Sequence, residues 1–157
     1  MTAISALIDI GGSSVKVTIR ENSAGKILTH EIGTTPKVQG KHISLNPDEL
    51  FATVIQAMNK SVEGLSSGLK VEKIYIATLR QGFCLISNEK ELTPIFLNSD
   101  TSGEMARAEI EKYGFRRIYE ETGHCFAPQL TLPKLINLNR VQPDLVRQNT
   151  KLLFVHD

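Results

Sequence analysis

The stretch Leu7-Ile8-Asp9-Ile10-Gly11-Gly12-Ser13-Ser14-Val15-Lys16 brings an acid, a pair of glycines, a pair of hydroxyls and a cation close together. A short apolar run delivers Asp9, Gly11 and Gly12 turn the chain, Ser13 and Ser14 follow, and Lys16 falls on the next strand. That order suits a phosphate of a metal-bound nucleotide. Glycines let the backbone approach an anion closely, and successive N–H groups in such a turn form an anion-binding concavity. The hydroxyls add donors, Lys16 adds charge, and a carboxylate at a strand end, as Asp9 is, can hold Mg²⁺ through its water shell. The same string also suits an ordinary hairpin, with Asp9 bonding its own turn and Lys16 on a solvated strand face.

A second polar group follows the apolar run Ile74-Tyr75-Ile76-Ala77. Arg80 and Gln81 stand at the carboxyl end of that strand, where open parallel sheets place their ligands. A guanidinium and an amide there can bond neighbouring hydroxyls in a bidentate way; a polar turn before a hairpin uses the same residue types. Asn98 and Asp100 carry side chains able to hydrogen-bond an acceptor substrate, while Asp100 or Thr101 equally suits the cap of the following helix. His124-Cys125 has no partner pair at zinc spacing and reads as packing.

These groups need elements to hold them. Residues 4–10 are an apolar run, and in 15–21 Val15, Val17 and Ile19 alternate with Lys16, Thr18 and Arg20, the pattern of a half-buried strand. The turn Asn22-Ser23-Ala24-Gly25 leads to a third strand over 26–32, so the three form an antiparallel meander. Residues 33–45 read as a loop. Asn46-Pro47-Asp48-Glu49 starts a helix with a cap, a first-turn proline and two acids. Its apolar face is Leu50, Val54, Ala57, Met58, Val62 and Leu65, and Ser66-Ser67-Gly68 ends it. The strand at 71–78 is then parallel to the first.

Phe83–Ile86 and Leu92–Leu97 make a hairpin across Ser87-Asn88-Glu89-Lys90, with Pro94 at an edge or bulge. Thr101 with Glu104 is a capping-box pattern that opens a helix to Tyr113, and Gly114 stops it. A helical turn surrounds Tyr119-Glu120-Glu121, Thr131-Leu132-Pro133 starts a helix to Asn139, and Gln142-Pro143-Asp144 starts another. Residues 151–156 form a last strand, expected parallel in the sheet that holds Asp9. The fold class is mixed α/β with a parallel portion. A chain ending on a buried strand reads as a truncated lobe over 1–157, and the apolar face left bare would favour a homodimer.

A length of 157 residues is about one domain. With 41% hydrophobic and 22% charged residues, the composition is that of an ordinary globular chain. Lys plus Arg is 18 against 17 for Asp plus Glu, which speaks against a nucleic-acid or polybasic membrane surface. No apolar run approaches the roughly 20 residues of a membrane helix, and the opening residues lack a secretion pattern. Cys84 and Cys125 lie near apolar residues and read as buried free thiols of a reducing, cytoplasmic setting.

The combined pattern resembles the N-terminal domain of the FGGY carbohydrate kinases, of the actin/hexokinase/Hsp70 ATPase superfamily. Four places carry the resemblance, in the family's order. Asp9-Ile10-Gly11-Gly12-Ser13-Ser14-Val15-Lys16 is similar to the first phosphate motif, usually Asp-x-Gly-Thr-Thr-Ser and a basic residue. Ile76-Ala77-Thr78-Leu79-Arg80-Gln81-Gly82-Phe83 is similar to the sugar-contact turn. Pro94-Ile95-Phe96-Leu97-Asn98-Ser99-Asp100 resembles the stretch that reads Trp-x-Asp-x-Arg in many members. Lys151 to Asp157 is similar to the strand ending in Asp before a helix that bears Leu-Thr-Gly. The Thr-x-Arg-Gln turn with Asn-x-Asp resembles the autoinducer-2 kinase branch. Two departures matter: Ser102 stands where an Arg is usual, and Gly12 replaces the usual Thr.

The resemblance implies a ribonuclease H-like, actin-like ATPase fold and transfer of the γ-phosphate of ATP to a sugar or polyol hydroxyl. It implies Asp9 as the catalytic acid-side residue holding Mg²⁺ through water, and Gly11, Gly12, Ser13, Ser14 and Lys16 at ATP. Arg80, Gln81, Asn98 and Asp100 would contact the sugar. The second phosphate motif, the adenosine site and the general base would lie beyond residue 157, so this chain alone is expected to be inactive. Two other readings stay open: a silent sugar- or nucleotide-binding remnant, and another sugar kinase of the same superfamily.

Overall fold

Alternation of apolar and polar residues builds the first sheet. The computed structural model describes residues 2–22, 25–63, 65, 68–147 and 149–157. Along the chain run β1 (Thr2–Ile10), β2 (Ser14–Glu21), β3 (Ile27–Gly33), β4 (Lys37–Gln39), β5 (His42–Leu45), α1 (Pro47–Val62) and β6 (Leu69–Thr78). There follow β7 (Phe83–Ser87), β8 (Lys90–Glu91), β9 (Ile95–Phe96), α2 (Arg107–Tyr113), α3 (Phe115–Thr122), α4 (Thr131–Val141) and β10 (Lys151–Phe154). Short 3-10 segments at Ser102–Ala106 and Pro143–Leu145 precede α2 and follow α4. The chain forms two compact units, one of residues 2–36 with 45–79, the other of 37–44 with 80–155.

In the first unit the strand order is β3-β2-β1-β6. β1, β2 and β3 form the expected antiparallel meander, and β6 lies parallel to β1. The α1 crossover explains that parallel strand, because a tight turn cannot return the chain in the same direction. Ile4, Ala6, Ile8, Val15, Val17 and Ile19 are buried on one face, and α1 packs against β2 and β3. Asn46 caps α1 by accepting the Glu49 N–H, and Ser61 Oγ donates to the Ala57 carbonyl inside the packed face. The turns expected at Ser23-Ala24 and Ser66-Ser67 lie outside the described residues.

The second unit holds a sheet of order β10-β7-β9-β5-β4, with β8 beside β7. Phe83, Leu85, Phe96 and Leu138 form its core, joined by Leu152 and Phe154 of β10. The expectation that residues 151–156 extend the Asp9 sheet in parallel is overturned. β10 instead pairs antiparallel with β7, Phe154 opposite Phe83. The apolar sequence identifies a strand, but its partner is chosen by Phe83 and Leu85, which offer Leu152 and Phe154 an apolar face.

Four further expectations are corrected. The loop over 33–45 contains the hairpin β4–β5, which turns at Gly40 with a φ of 61°. The strand Leu92–Leu97 is broken at Pro94, which has no N–H to give a ladder. There Thr93 Oγ1 replaces a ladder carbonyl and accepts the Leu85 N–H at 2.9 Å. The Thr101–Glu104 capping box is not made; Glu104 bonds Arg107 instead, and 3-10 geometry opens the segment. Cys125 is exposed and Cys84 half-buried, both as free thiols. The hairpin turn at Asn88 and Glu89 does form, both residues at positive φ as a type I′ turn requires.

Candidate functional site

The first candidate constellation is the β1–β2 turn. The ladder register sets Asp9 opposite Lys16 on β2 and opposite Ala77 on β6. Asp9 is exposed, on the face away from buried Ile8. The turn closes with Gly11 N–H donating to the Ser14 carbonyl at 2.9 Å. A Cβ on Gly11 would stand 3.0 Å from that same oxygen, so glycine is needed for the tight approach. Thr34 clamps the turn from beyond β3, its N–H donating to the Ser13 carbonyl at 2.9 Å and its hydroxyl to the Gly12 carbonyl at 2.8 Å. Ser13 is exposed.

Sequence reasoning missed Glu31. It lies opposite Lys16 in the β2–β3 ladder. The Ser14 hydroxyl donates to its Oε1 at 2.6 Å, and Lys16 Nζ is 3.5 Å from its Oε2. The Ser14 hydroxyl and then the Lys16 charge hold the Glu31 carboxyl below its ordinary range. Two donors expected at a phosphate are therefore engaged by a carboxylate of the same sheet. Signals for it were present: strands at 15–21 and 26–32 joined by a short turn put Glu31 across from Lys16.

The donor chemistry of the turn fits a metal-bound phosphate. Its carbonyls are engaged by the Gly11 N–H and by Thr34, an exposed hydroxyl and a lysine stand beside them, and an exposed carboxylate lies on β1. Among the described residues no group of three or more His, Cys, Asp or Glu could hold a metal by itself.

The second constellation belongs to the other unit. Arg80 is exposed in the turn before β7. Gln81 follows with a φ of 61°, a left-handed conformation uncommon outside glycine. Gln81 lines a cavity of about 250 Å³ with Phe126, Leu130, Leu132, Pro133 and Phe154. His124 and Cys125 also line it, so that pair is at a cavity wall rather than in packing. Asn98 is exposed in the turn after β9.

Asp100, expected at the acceptor, is held by donors of its own unit. It is 0% exposed. Its Oδ1 accepts the Ser102 N–H at 2.9 Å and the Ser102 hydroxyl at 2.5 Å, and its Oδ2 accepts the Ile43 N–H at 2.8 Å. His42 Nδ1 lies 3.6 Å away. A carboxylate with three donors and no exposed surface carries a structural load of its own. Ser102, the departure from the usual Arg, is itself one of those partners.

Lys134 of α4 is buried nearby in the same unit and was not foreseen. Its ammonium donates to the Leu97 carbonyl at 2.6 Å and lies 5.8 Å from the Phe83 ring centre. Burial lowers it to about 8, against the pull of Asp100. Gly103 explains how α4 comes so close: a Cβ there would meet the Pro128 carbonyl at 2.4 Å and Pro133 Cβ at 2.7 Å.

The sequence model of the N-terminal domain of the FGGY family of carbohydrate kinases matches residues 4–157. Among solved structures, the chain is similar to Plasmodium falciparum glycerol kinase with ADP, at a TM-score of 0.86 and 17% identity over 99% of this chain and 33% of that one. It is similar to ligand-bound xylulose kinase from Lactobacillus acidophilus, at 0.86 and 15% identity over 97% and 31%. It is also similar to gluconate kinase from Lactobacillus acidophilus, at 0.85 and 16% over 98% and 32%. The mixed α/β fold is that of these kinases, and the chain spans about a third of their length.

Proposed function

The chain belongs to the FGGY family of carbohydrate kinases, as their N-terminal domain, and from that premise we propose that it supplies the first phosphate turn and part of the acceptor site of an ATP-dependent sugar kinase. The observation that carries this reading is the β1–β2 turn, where a clamped glycine hairpin puts an exposed acid, hydroxyls and a lysine at one end of the sheet.

Asp9 would orient the water shell of Mg²⁺, and Ser13, Ser14, Lys16 and the amide of Gly12 would hold the terminal phosphates, while Gly11, whose own N–H closes the turn on the Ser14 carbonyl, would let the backbone come close to them. Bound Mg²⁺ neutralises charge on the transferred phosphoryl group. Arg80 and Gln81 would fix the acceptor hydroxyls, with Asn98 a further contact. The left-handed Gln81 supports this, because a strained conformation outside glycine is a mark of functional sites. A general base and the adenine pocket have no candidate among the described residues. Phosphoryl transfer depends on positioning by both lobes, so the chain by itself is proposed to bind without turning over.

Titrating the isotope-labelled chain with MgADP, and separately with pentoses, hexoses, polyols and autoinducer-2, tests this. Nucleotide should move the amide signals of residues 11–16, and the right acceptor those of 80–82 and 98. Shifts confined to other segments would refute the assignment. Sugar-dependent ADP release at about 1–100 s⁻¹, the ordinary kinase range, would show that the chain needs no second lobe. Among the described residues no helix is long and apolar enough to cross a membrane.

A further inference from the structure

We propose that Glu31 is the internal counter-anion of the β1–β2 turn, and that a phosphate reaching the Ser14 hydroxyl and the Lys16 ammonium must displace it from both. The proposal rests on the reading of that turn as a phosphate site. It goes further by naming the group that competes with the phosphate.

The argument starts from donor arithmetic. A serine hydroxyl has one hydrogen to give, and Ser14 gives it to Glu31 at 2.6 Å. It cannot be shared with an arriving phosphate, so the two acceptors exclude one another there. Lys16 has three hydrogens and can bond two acceptors, but its charge is already matched. Register puts Asp9 on one side of Lys16 and Glu31 on the other, across three neighbouring strands. One cation stands between two carboxylates. A phosphate added to that row would meet net negative charge unless one acid withdraws.

Glu31 is the acid able to withdraw. It lies on the open face of β3 with its side chain half exposed, so no buried surface has to be uncovered when it swings away. Its contacts are the two donors in question, and the lowering of its carboxyl by Ser14 and Lys16 shows that both favour its ionised form. Thr18 and Thr29, next along the same face, bond each other at 3.0 Å. An anion is thus opposed by Glu31, whereas a neutral ligand is not.

The test is an amide-shift titration of the whole chain with MgADP, and with inorganic pyrophosphate as a phosphate probe lacking base and ribose. Exposed ion pairs are weak, so removing the competitor should lower the midpoint about two- to five-fold. We expect this in both Glu31→Gln and Glu31→Ala, with residues 11–16 responding and the melting temperature unchanged. Glu109→Gln, an equal change of charge in the other unit, should leave the midpoint where it was. Midpoints that stay or rise in both Glu31 variants while residues 11–16 still respond would overturn the competition and leave the phosphate turn standing. An equal gain in Glu109→Gln would also overturn it, as a general charge effect. No response at residues 11–16 in any form would bring down the turn and the counter-anion together.

Discussion

Asp100→Ala separates a structural acid from a substrate contact. The substitution removes the acceptor of three hydrogen bonds at once, from Ile43 N–H, Ser102 N–H and the Ser102 hydroxyl. Each bond to a charged acceptor is worth roughly 1.5–3 kcal/mol, but the three share one carboxylate and do not add. The better guide is the loss of one side of a buried charged set, about 3–5 kcal/mol. Lys134 also loses a neighbouring negative charge while remaining 2% exposed. For a chain of this length each kcal/mol lowers the melting temperature by about 2–4 °C, so a fall of about 6–20 °C is expected. Asp100→Asn should fall by less, since its amide oxygen can still accept from Ser102 while its NH₂ faces the Ile43 N–H. Thermal unfolding followed by circular dichroism, with urea unfolding alongside, measures both. A melting temperature for Asp100→Ala within about 2 °C of the parent would refute the structural role and return Asp100 to the list of acceptor contacts.

The buried Lys134 makes stability depend on pH. Its folded value of about 8 lies below the ordinary 10.5, so the unfolded chain binds more protons between them, and stability should rise by about 3 kcal/mol as pH climbs through that window; urea unfolding of Lys134→Met should show that rise removed. Gln81→Gly relieves a φ of 61°, and after the added freedom of the unfolded glycine the net gain is up to about 1 kcal/mol. Acceptor-induced shifts at residues 80–82 should weaken in the same variant, and a loss of stability would contradict the strain. Asp9→Asn should keep its melting temperature and bind MgADP more weakly, with metal-free ADP little affected; equal loss for both nucleotide forms would show that Asp9 does not act through the metal.

Much of the first unit was legible because its signals are local. Alternation in residues 15–21 gives the buried face, and short turns fix which strands are neighbours. Asn46-Pro47-Asp48-Glu49 fixes the start of α1, whose Asn46 cap forms as expected. The second unit was less legible because its partners are distant in sequence. β9 and β10 are two and four residues long. Strands that short carry no register of their own, and Phe83 and Leu85 decide where Leu152 and Phe154 go. Pro94 marks the break in the strand, but only the fold shows the Thr93 hydroxyl accepting the Leu85 N–H beside it.

The acids show why site residues are harder to read than elements. Asp9, Glu31 and Asp100 are chemically near-equivalent, and local context together with the family resemblance drew attention to the first and the last. What separates them is the number of donors already aimed at each carboxylate and the surface left over. Asp100 accepts the N–H and hydroxyl of Ser102 just after it and the Ile43 N–H of β5, so it is satisfied and sealed. Asp9 sits at the end of a central strand with an open side and a lysine as register neighbour. Glu31 stands between these cases, satisfied but not sealed, since its donors are side chains on an exposed face. Backbone N–H groups cannot leave a buried acid without breaking the fold, whereas a hydroxyl and a lysine can exchange one anion for another at little cost. Of the three carboxylates, then, the one held by mobile donors is the one whose contacts a phosphate can take over.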